Sequence, residues 1–181
     1  MRAGRIKPEH MTHLDHKTLV RKDHPRIAFR GWIDRLEAEI LLCRLAVDRR
    51  GYPELAAELD ELLEFVRRLI RCDVLGEKVE EIRLGGYTAA ELREYSHHPD
   101  QYFGQPHFMP AGTDEPAILH INRLRTLIRQ AELAAYRAFR DYDGAVTRPD
   151  LILAMNRLSS LCWIWMIKLK AGCYPRREGG A

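Results

Sequence analysis

The sequence has few cysteines, no long apolar run and almost no excess of one charge, and each shortage argues against a class of protein. Its four cysteines, Cys43, Cys72, Cys162 and Cys173, are scattered and form no C-x-x-C pair, unlike a zinc ribbon or a disulfide framework. The longest apolar run, residues 161–167, is far shorter than the roughly 20 residues that span a bilayer. The net charge is only +3, so composition alone does not indicate a nucleic-acid or membrane-surface protein.

What is present fits one ordinary globular domain. The chain has 181 residues, of which 46% are apolar and 30% charged, enough to build a sizeable core. Residues 1–9 are basic but are followed by histidines and charged residues, so they do not read as a secretory signal. We expect a cytoplasmic protein with neither a membrane nor a nucleic-acid partner.

Helical periodicity dominates the sequence. Apolar residues recur at steps of three and four, and prolines and glycines interrupt the pattern at regular points. No stretch alternates apolar and polar residues over the length of a strand. We therefore predict an all-α fold, a bundle of four to five long helices with antiparallel neighbours. The predicted helices cover about 27–47, 53–72, 116–142 and 149–171, with a short helix at 88–95 that Thr88 and Glu91 begin as a capping box.

The segment from residue 97 to Pro116 carries four prolines and two glycines, too many for a regular element. A loop of that length inside a compact domain is more often functional than idle, and this one contains Phe108. We divide the chain into a basic N-terminal segment (1–25), a helical bundle (26–174) and a frayed tail (175–181).

A charged face is expected on the helix over 116–142. Arg125, Arg129 and Glu132 stand at i, i+4 and i+7, which stacks two guanidinium groups and a carboxylate along one side. They could be solvated, with Arg129 and Glu132 forming a surface ion pair contributing roughly 0.3 to 0.5 kcal/mol. Alternatively, two fixed guanidinium forks suit polyphosphate oxygens, and Lys22 could add a point charge.

The last helix carries a polar strip on an otherwise apolar surface, formed by Asn156, Ser159, Ser160 and Trp163. The strip either lets neighbouring helices share hydrogen bonds or faces a ligand. Asn156, which is followed by Arg157, favours the ligand.

The first thirty residues form a basic segment that suits an anionic partner, phosphate above all. His10, His13 and His16 could bind a metal only if the segment were helical, and its turn-forming residues favour a loop, so we expect no metal site. A nucleic-acid binder ranks last, because the aromatic residues nearby, Phe29 and Trp32, are sparse.

Three motifs then occur in the order found in a known family. The stretch MTHLDHKTLVRKDHPRIAFRGWIDRLEAEI at 11–40, RTLIRQAE at 125–132 and RPDLILAMNRLSSL at 148–161 together resemble ATP:cob(I)alamin adenosyltransferases. The loop YSHHPDQYFGQPHFMP is similar to the ethanolamine-utilisation type, and similarity to the propanediol-utilisation type is more distant. The resemblance covers roughly residues 11–170.

This resemblance implies a fold, an assembly and a reaction. The fold would be a helical bundle assembled as a homotrimer, with ATP between adjacent subunits and cobalamin above it. Cob(I)alamin would attack C5′ of ATP, giving adenosylcobalamin and triphosphate, with Mg²⁺ accompanying ATP and a reductase supplying electrons.

The resemblance also implies roles for single residues. Phe108, ahead of Pro110, resembles the aromatic residue that excludes a lower axial ligand from cobalt. Asp34 matches the carboxylate that pairs with Arg125. The nucleotide site would contain Lys22, Arg125, Arg129, Glu132 and Asn156.

The chain departs from the family in two places. Residues 12–18 contain no glycine, whereas the propanediol type has a glycine-rich phosphate loop there. Some ethanolamine-type members carry a cysteine-rich metal-binding segment ahead of the core, and we expect none in this chain. The competing hypothesis is therefore a non-catalytic helical module that binds a corrinoid or a nucleotide.

Overall fold

The computed structural model describes residues 7–177, and within them the chain is mostly helical, which confirms the predicted all-α bundle. Two small hairpins and two short helices accompany four long helices. In chain order the elements are β1 (Met11–His13), β2 (Leu19–Arg21), α1 (Pro25–Arg49), α2 (Pro53–Leu75), β3 (Arg83–Leu84), β4 (Tyr87–Thr88), α3 (Ala89–His97), α4 (Pro99–Phe103), α5 (Pro116–Phe139) and α6 (Pro149–Lys170).

The four long helices form a bundle in which packed neighbours run antiparallel, because α1 and α6 begin at the end of the bundle where α2 and α5 finish. Helix α1 packs against α2 and α5, while α6 packs against α5 and α2. The rings of Phe29 and Phe139 lie 5.5 Å apart, so the start of α1 meets the end of α5. We call this the hairpin end of the bundle, because Arg30 Nη2 donates to the Leu14 carbonyl at 2.7 Å and holds the β1–β2 hairpin there.

Local sequence explains where the helices begin. The predicted capping box is confirmed, since Thr88 accepts from the Glu91 amide and Glu91 accepts from the Thr88 amide. Helix α2 ends at Gly76, whose φ of 70° lies in the left-handed region. Proline occupies the first turn of every long helix, at Pro25, Pro53, Pro116 and Pro149.

Two helix predictions need correction. Helix α5 ends at Phe139, three residues before the predicted end, because the Phe139 carbonyl accepts from the Thr147 amide at 2.7 Å as the chain turns back. The segment after residue 97 was expected to be irregular throughout, yet Pro99–Phe103 forms α4. Pro99 stands at the first turn of α4, and Gly104 ends it with a φ of 65°.

The sequence also predicted no strands, and this prediction is wrong. The strands β1 and β2 pair antiparallel over three residues each, and β3 and β4 over two, lengths too short to display alternation. His13 therefore lies in a strand and His16 in the hairpin turn, so the helical spacing that a metal site required is not formed.

Helix α6 is the most buried of the long helices. It is long and apolar enough to cross a membrane by length and composition, but 61% of the qualifying window is buried inside the bundle. Trp165 is fully buried, and its indole donates to Glu58 on α2. This is how a core helix is packed.

The end of the described chain folds back on the bundle. The Arg177 amide donates to the Gly51 carbonyl at 2.8 Å, at the turn between α1 and α2. The remainder of the expected frayed tail, 178–181, and the first part of the basic segment, 1–6, lie outside the described residues.

Candidate active site

A hydrogen-bonded chain of three side chains joins α5 and α6. Asn156 Nδ2 donates to Glu132 Oε1 at 2.9 Å, and Arg157 Nη1 donates to Asn156 Oδ1 at 2.6 Å. Glu132 and Asn156 are half-buried, whereas Arg157 is only 7% exposed. Burial lowers the pKa of Arg157, and the nearby Arg93 acts in the same direction, while Glu132 opposes both. Two of the predicted nucleotide-site residues are thus in direct contact.

Arg129 lines a surface cleft beside this chain. The cleft has a volume of about 410 Å³ and is bordered by Arg129, Gln130, Glu132, Leu133, Tyr136 and Ile152. Arg129 is exposed and has no hydrogen-bond or ion-pair partner among residues 7–177. A guanidinium with all its donors available at the edge of a cleft suits an anionic ligand.

An aromatic cluster lies farther along the same face of α5 and α6. The Trp163 ring stacks on Phe108, with centroids 5.5 Å apart, and on His107 at 5.7 Å. Arg125 Cζ stands 5.5 Å from the Trp163 centroid. Seven residues separate Asn156 from Trp163, so the polar chain and the aromatic cluster are about 10 Å apart along the axis of α6.

Arg125 is held by its own helix and not by the carboxylate that was expected. Its Nε and Nη2 donate to Asn122 Oδ1 at 3.2 and 2.9 Å. Burial lowers the pKa of Arg125, and the charge of Arg129 lowers it further. Asp34 is exposed on α1 and makes no side-chain hydrogen bond or ion pair within residues 7–177, so a single chain does not bring Asp34 and Arg125 together.

The loop that carries Phe108 is fastened to the bundle at three points. The Trp163 indole donates to His107 Nδ1 at 3.2 Å, which leaves His107 Nε2 as a donor to the His97 carbonyl, also 3.2 Å away. Asp114 pairs with Lys170 near the end of α6, and that hydrogen bond lowers the pKa of Asp114. The loop is therefore ordered against α6.

The hairpin that bears the N-terminal charges satisfies its own backbone. Asp15 Oδ1 accepts from the amides of Lys17 and Thr18 at 2.8 and 2.7 Å, and these hydrogen bonds lower the pKa of Asp15. Lys22 follows β2 at the hairpin end; its amide donates to the His10 carbonyl, and its exposed side chain makes no hydrogen bond or ion pair within residues 7–177. The amides of Lys17 and Thr18 are therefore occupied, and an anion near the hairpin would contact its cationic side chains instead.

Sequence reasoning assigned no site role to three members of this region. Asn122 could have been found three residues before Arg125, at the spacing of neighbours on a helix. Arg157 was masked by its charge, which usually indicates an exposed residue. His107 depends on the fold of a long loop, which no short-range pattern fixes.

A metal site requires several ligand side chains to be close together in the fold. Across residues 7–177, no group of three His, Cys, Asp or Glu side chains is placed to hold a metal ion. The described site instead consists of one carboxylate, one amide, cationic groups and aromatic rings.

Comparisons with known proteins agree with the sequence resemblance. The model of the cobalamin adenosyltransferase family matches residues 4–169. The chain is 30% identical over 161 residues to the corrinoid adenosyltransferase EutT of Escherichia coli K12, and 29% identical over 161 residues to EutT of Salmonella typhimurium LT2. Each alignment covers 89% of this chain, which spans only 59% of the relative's length. No solved structure matches.

The match to the family runs through all four long helices and through both clusters of the candidate site. The resemblance to the ethanolamine-utilisation type is confirmed by the EutT relatives. The chain belongs to the cobalamin adenosyltransferase family.

Proposed function

We propose that the protein transfers the 5′-deoxyadenosyl group of ATP to cob(I)alamin. The reduced cobalt supplies an electron pair to C5′, a Co–C bond forms, and the C5′–O bond breaks with its electrons leaving on triphosphate. The chain spans three fifths of relatives named for this activity, which supports the reaction class. The observation that carries the proposal is the polar chain and cleft about 10 Å along α6 from the aromatic cluster, enough separation for a nucleotide beside a corrinoid.

The cationic side chains provide the electrostatic part of the mechanism. Negative charge increases on the triphosphate as the C5′–O bond breaks, so donors that are already in place lower the barrier. We assign this role to Arg129, whose donors are unpaired at the cleft, and to Lys22 at the hairpin end. Arg125, fixed by Asn122 and stacked on Trp163, would link the nucleotide to the corrinoid side.

The polar chain would orient the nucleotide. The carboxylate of Glu132 and the amide of Asn156 offer one acceptor and one donor side by side, which suits the hydroxyls and base edge of a nucleoside. Orientation matters because in-line attack at C5′ requires a defined geometry between cobalt and the leaving group.

The aromatic cluster would form the dry wall of the corrinoid chamber. Phe108 is half-buried against Trp163, where its ring excludes water and itself offers no donor atom to cobalt. Removal of a lower axial ligand makes cob(II)alamin easier to reduce, because the electron enters an orbital that the ligand no longer raises. The incoming electron is assigned to a separate reductase, and the cytoplasm is the proposed location.

We propose that the chain forms a homotrimer and that the surface of α1 makes the contact between its copies. Leu41, Leu42 and Leu45 are 48%, 61% and 42% exposed, and Asp34 continues the same helical face. Neighbouring exposed leucines on one helix suit a contact with another protein surface. A neighbouring copy covering this face would let its Arg125 approach Asp34, the pairing that one chain does not make.

Mg²⁺ would enter with ATP. The described residues offer no three-ligand group, and Mg²⁺ in nucleotide sites is held largely by phosphate oxygens and water. The proposal therefore assigns Mg²⁺ no protein ligand and no separate step.

The direct test mixes the protein with MgATP and chemically reduced cobalamin under anaerobic conditions. Formation of a light-sensitive adenosyl product with release of triphosphate would support the proposal. Unchanged cobalamin in the presence of bound ATP would overturn it.

A second candidate, a non-catalytic module that binds a corrinoid or a nucleotide, is favoured by one feature. The hairpin amides of Lys17 and Thr18 are taken by Asp15 and are not offered to a triphosphate. Tight ATP binding without transfer would support this candidate.

A further inference from the structure

Arg157 is a charged group in a place where charge is costly. Its side chain is 7% exposed, and its buried Nε has no hydrogen-bond partner among residues 7–177. The one side-chain hydrogen bond that it donates goes to a neutral amide, Asn156 Oδ1. A buried guanidinium with unused donors lowers stability, so packing alone does not explain an arginine here.

The hydrogen bond that Arg157 does make fixes an orientation. An asparagine side chain has an oxygen that accepts and a nitrogen that donates, and these two ends can be exchanged by a flip. With Arg157 on one side and Glu132 on the other, only one orientation satisfies both neighbours. The flipped amide would place two donors together at Arg157 and two acceptors together at Glu132.

We infer that Arg157 is a positioning residue of the nucleotide site: it locks the Asn156 amide with its NH₂ group toward Glu132. The inference rests on the proposed function, because it assigns ATP to the Glu132–Asn156 pair. The lock leaves the second N–H of Asn156 and Oε2 of Glu132 without a side-chain partner among residues 7–177, so both remain for the nucleotide. Arg157 itself does not touch the ligand.

A double-mutant cycle tests whether Arg157 acts on ATP binding through Asn156. The variants are Arg157→Met, which keeps the length and suits a buried position, Asn156→Ala, and both together. The measurement is the Kd for MgATP without corrinoid, by calorimetry. We expect Arg157→Met to weaken binding by about tenfold, because ATP would then have to order an Asn156 amide that is no longer held in one orientation. In the Asn156→Ala background, Arg157→Met should change the Kd little, because the group through which it acts is gone.

Two further measurements separate positioning from a structural role. Arg157→Lys retains a cationic donor and should recover part of the affinity. Thermal unfolding measures the effect on folding. If Arg157 were merely structural, Arg157→Met would lower the melting temperature, while the folded fraction would bind ATP normally. Two outcomes would overturn the inference: binding free-energy losses that simply add in the double variant, or a Kd that is unchanged in Arg157→Met.

The proposed function can fail separately. A wild-type protein that binds ATP but forms no adenosylcobalamin would refute the transfer reaction, while the binding cycle would still decide the role of Arg157. If the wild type is active but the effects of Arg157→Met and Asn156→Ala on the binding free energy of MgATP simply add, only the role of Arg157 is refuted.

Discussion

The guanidinium of Arg30 on α1 lies 2.6 Å from the carboxylate of Asp73 on α2. Asp73 is 1% exposed and also binds Arg26, at 2.8 Å. Because Arg30 holds the Leu14 carbonyl as well, this buried carboxylate connects the bundle to the hairpin that carries the N-terminal charges.

Replacement of Asp73 by alanine should therefore destabilise the fold strongly. It leaves two arginines at the hairpin end without their counter-charge, and breaking a buried ion pair in this way costs about 3–5 kcal/mol. Urea unfolding gives the value. Asp60→Ala is the matched control, because Asp60 pairs with Arg44 on the surface and should cost less than about 1 kcal/mol. Equal losses in the two variants would contradict the buried connection.

Arg129→Ala should remove activity without removing stability. Arg129 is exposed at the cleft, so its loss should leave the melting temperature unchanged while kcat/KM for ATP falls about 100-fold, as when a preorganised donor to developing charge is removed. Arg137→Ala, an exposed arginine of α5 outside the cleft, and Cys173→Ala are controls that should keep normal activity. Equal activity in all three variants would exclude Arg129 from the site.

Phe108→Ala should act on the corrinoid and not on the nucleotide. Losing a ring packed on Trp163 should weaken corrinoid binding about tenfold or more, since burying a phenylalanine contributes about 1.5–3 kcal/mol. The Kd for MgATP should not change. Met109→Ala is the control from the same loop, because Met109 is 89% exposed. A shift in ATP affinity alone would move Phe108 to the nucleotide side.

Asp150→Asn should change how stability depends on pH. Burial raises the pKa of Asp150, but hydrogen bonds from Arg148 and from the Val79 amide outweigh it and lower the pKa from 3.8 to about 2. The ionised carboxylate therefore stabilises the fold above about pH 4, and this contribution disappears as the pH falls to 2. The free energy of unfolding should differ between wild type and Asp150→Asn by about 1–2 kcal/mol at pH 7. The difference should shrink toward pH 2, and a constant difference would refute the assignment.

The bundle was predictable because its signals are local and repeated. Apolar residues every three or four positions, with prolines at the starts of α2, α5 and α6, gave the four long helices to within a few residues, and the Thr88 capping box needed only a spacing of three. The hairpin of residues 11–21 was missed because three-residue strands carry no periodicity, and its turn depends on Asp15.

The sequence suggested candidate site residues but not the contacts between them. The contact between Glu132 and Asn156 joins residues on different helices, and only the packing of α5 on α6 creates it. The choice of Asn122 over Asp34 as the partner of Arg125 follows from distance within one chain, information that a family motif does not contain. Burial of Arg157 is likewise a property of the assembled bundle.

Self-association through the exposed leucines of α1, as proposed, would make the stability of the chain depend on its concentration. Where chains associate through that face, mass action favours the folded, associated species as protein concentration rises. The midpoint of thermal denaturation would then climb with concentration, and strong dilution would dissociate the assembly and separate the two halves of any cleft shared between neighbours.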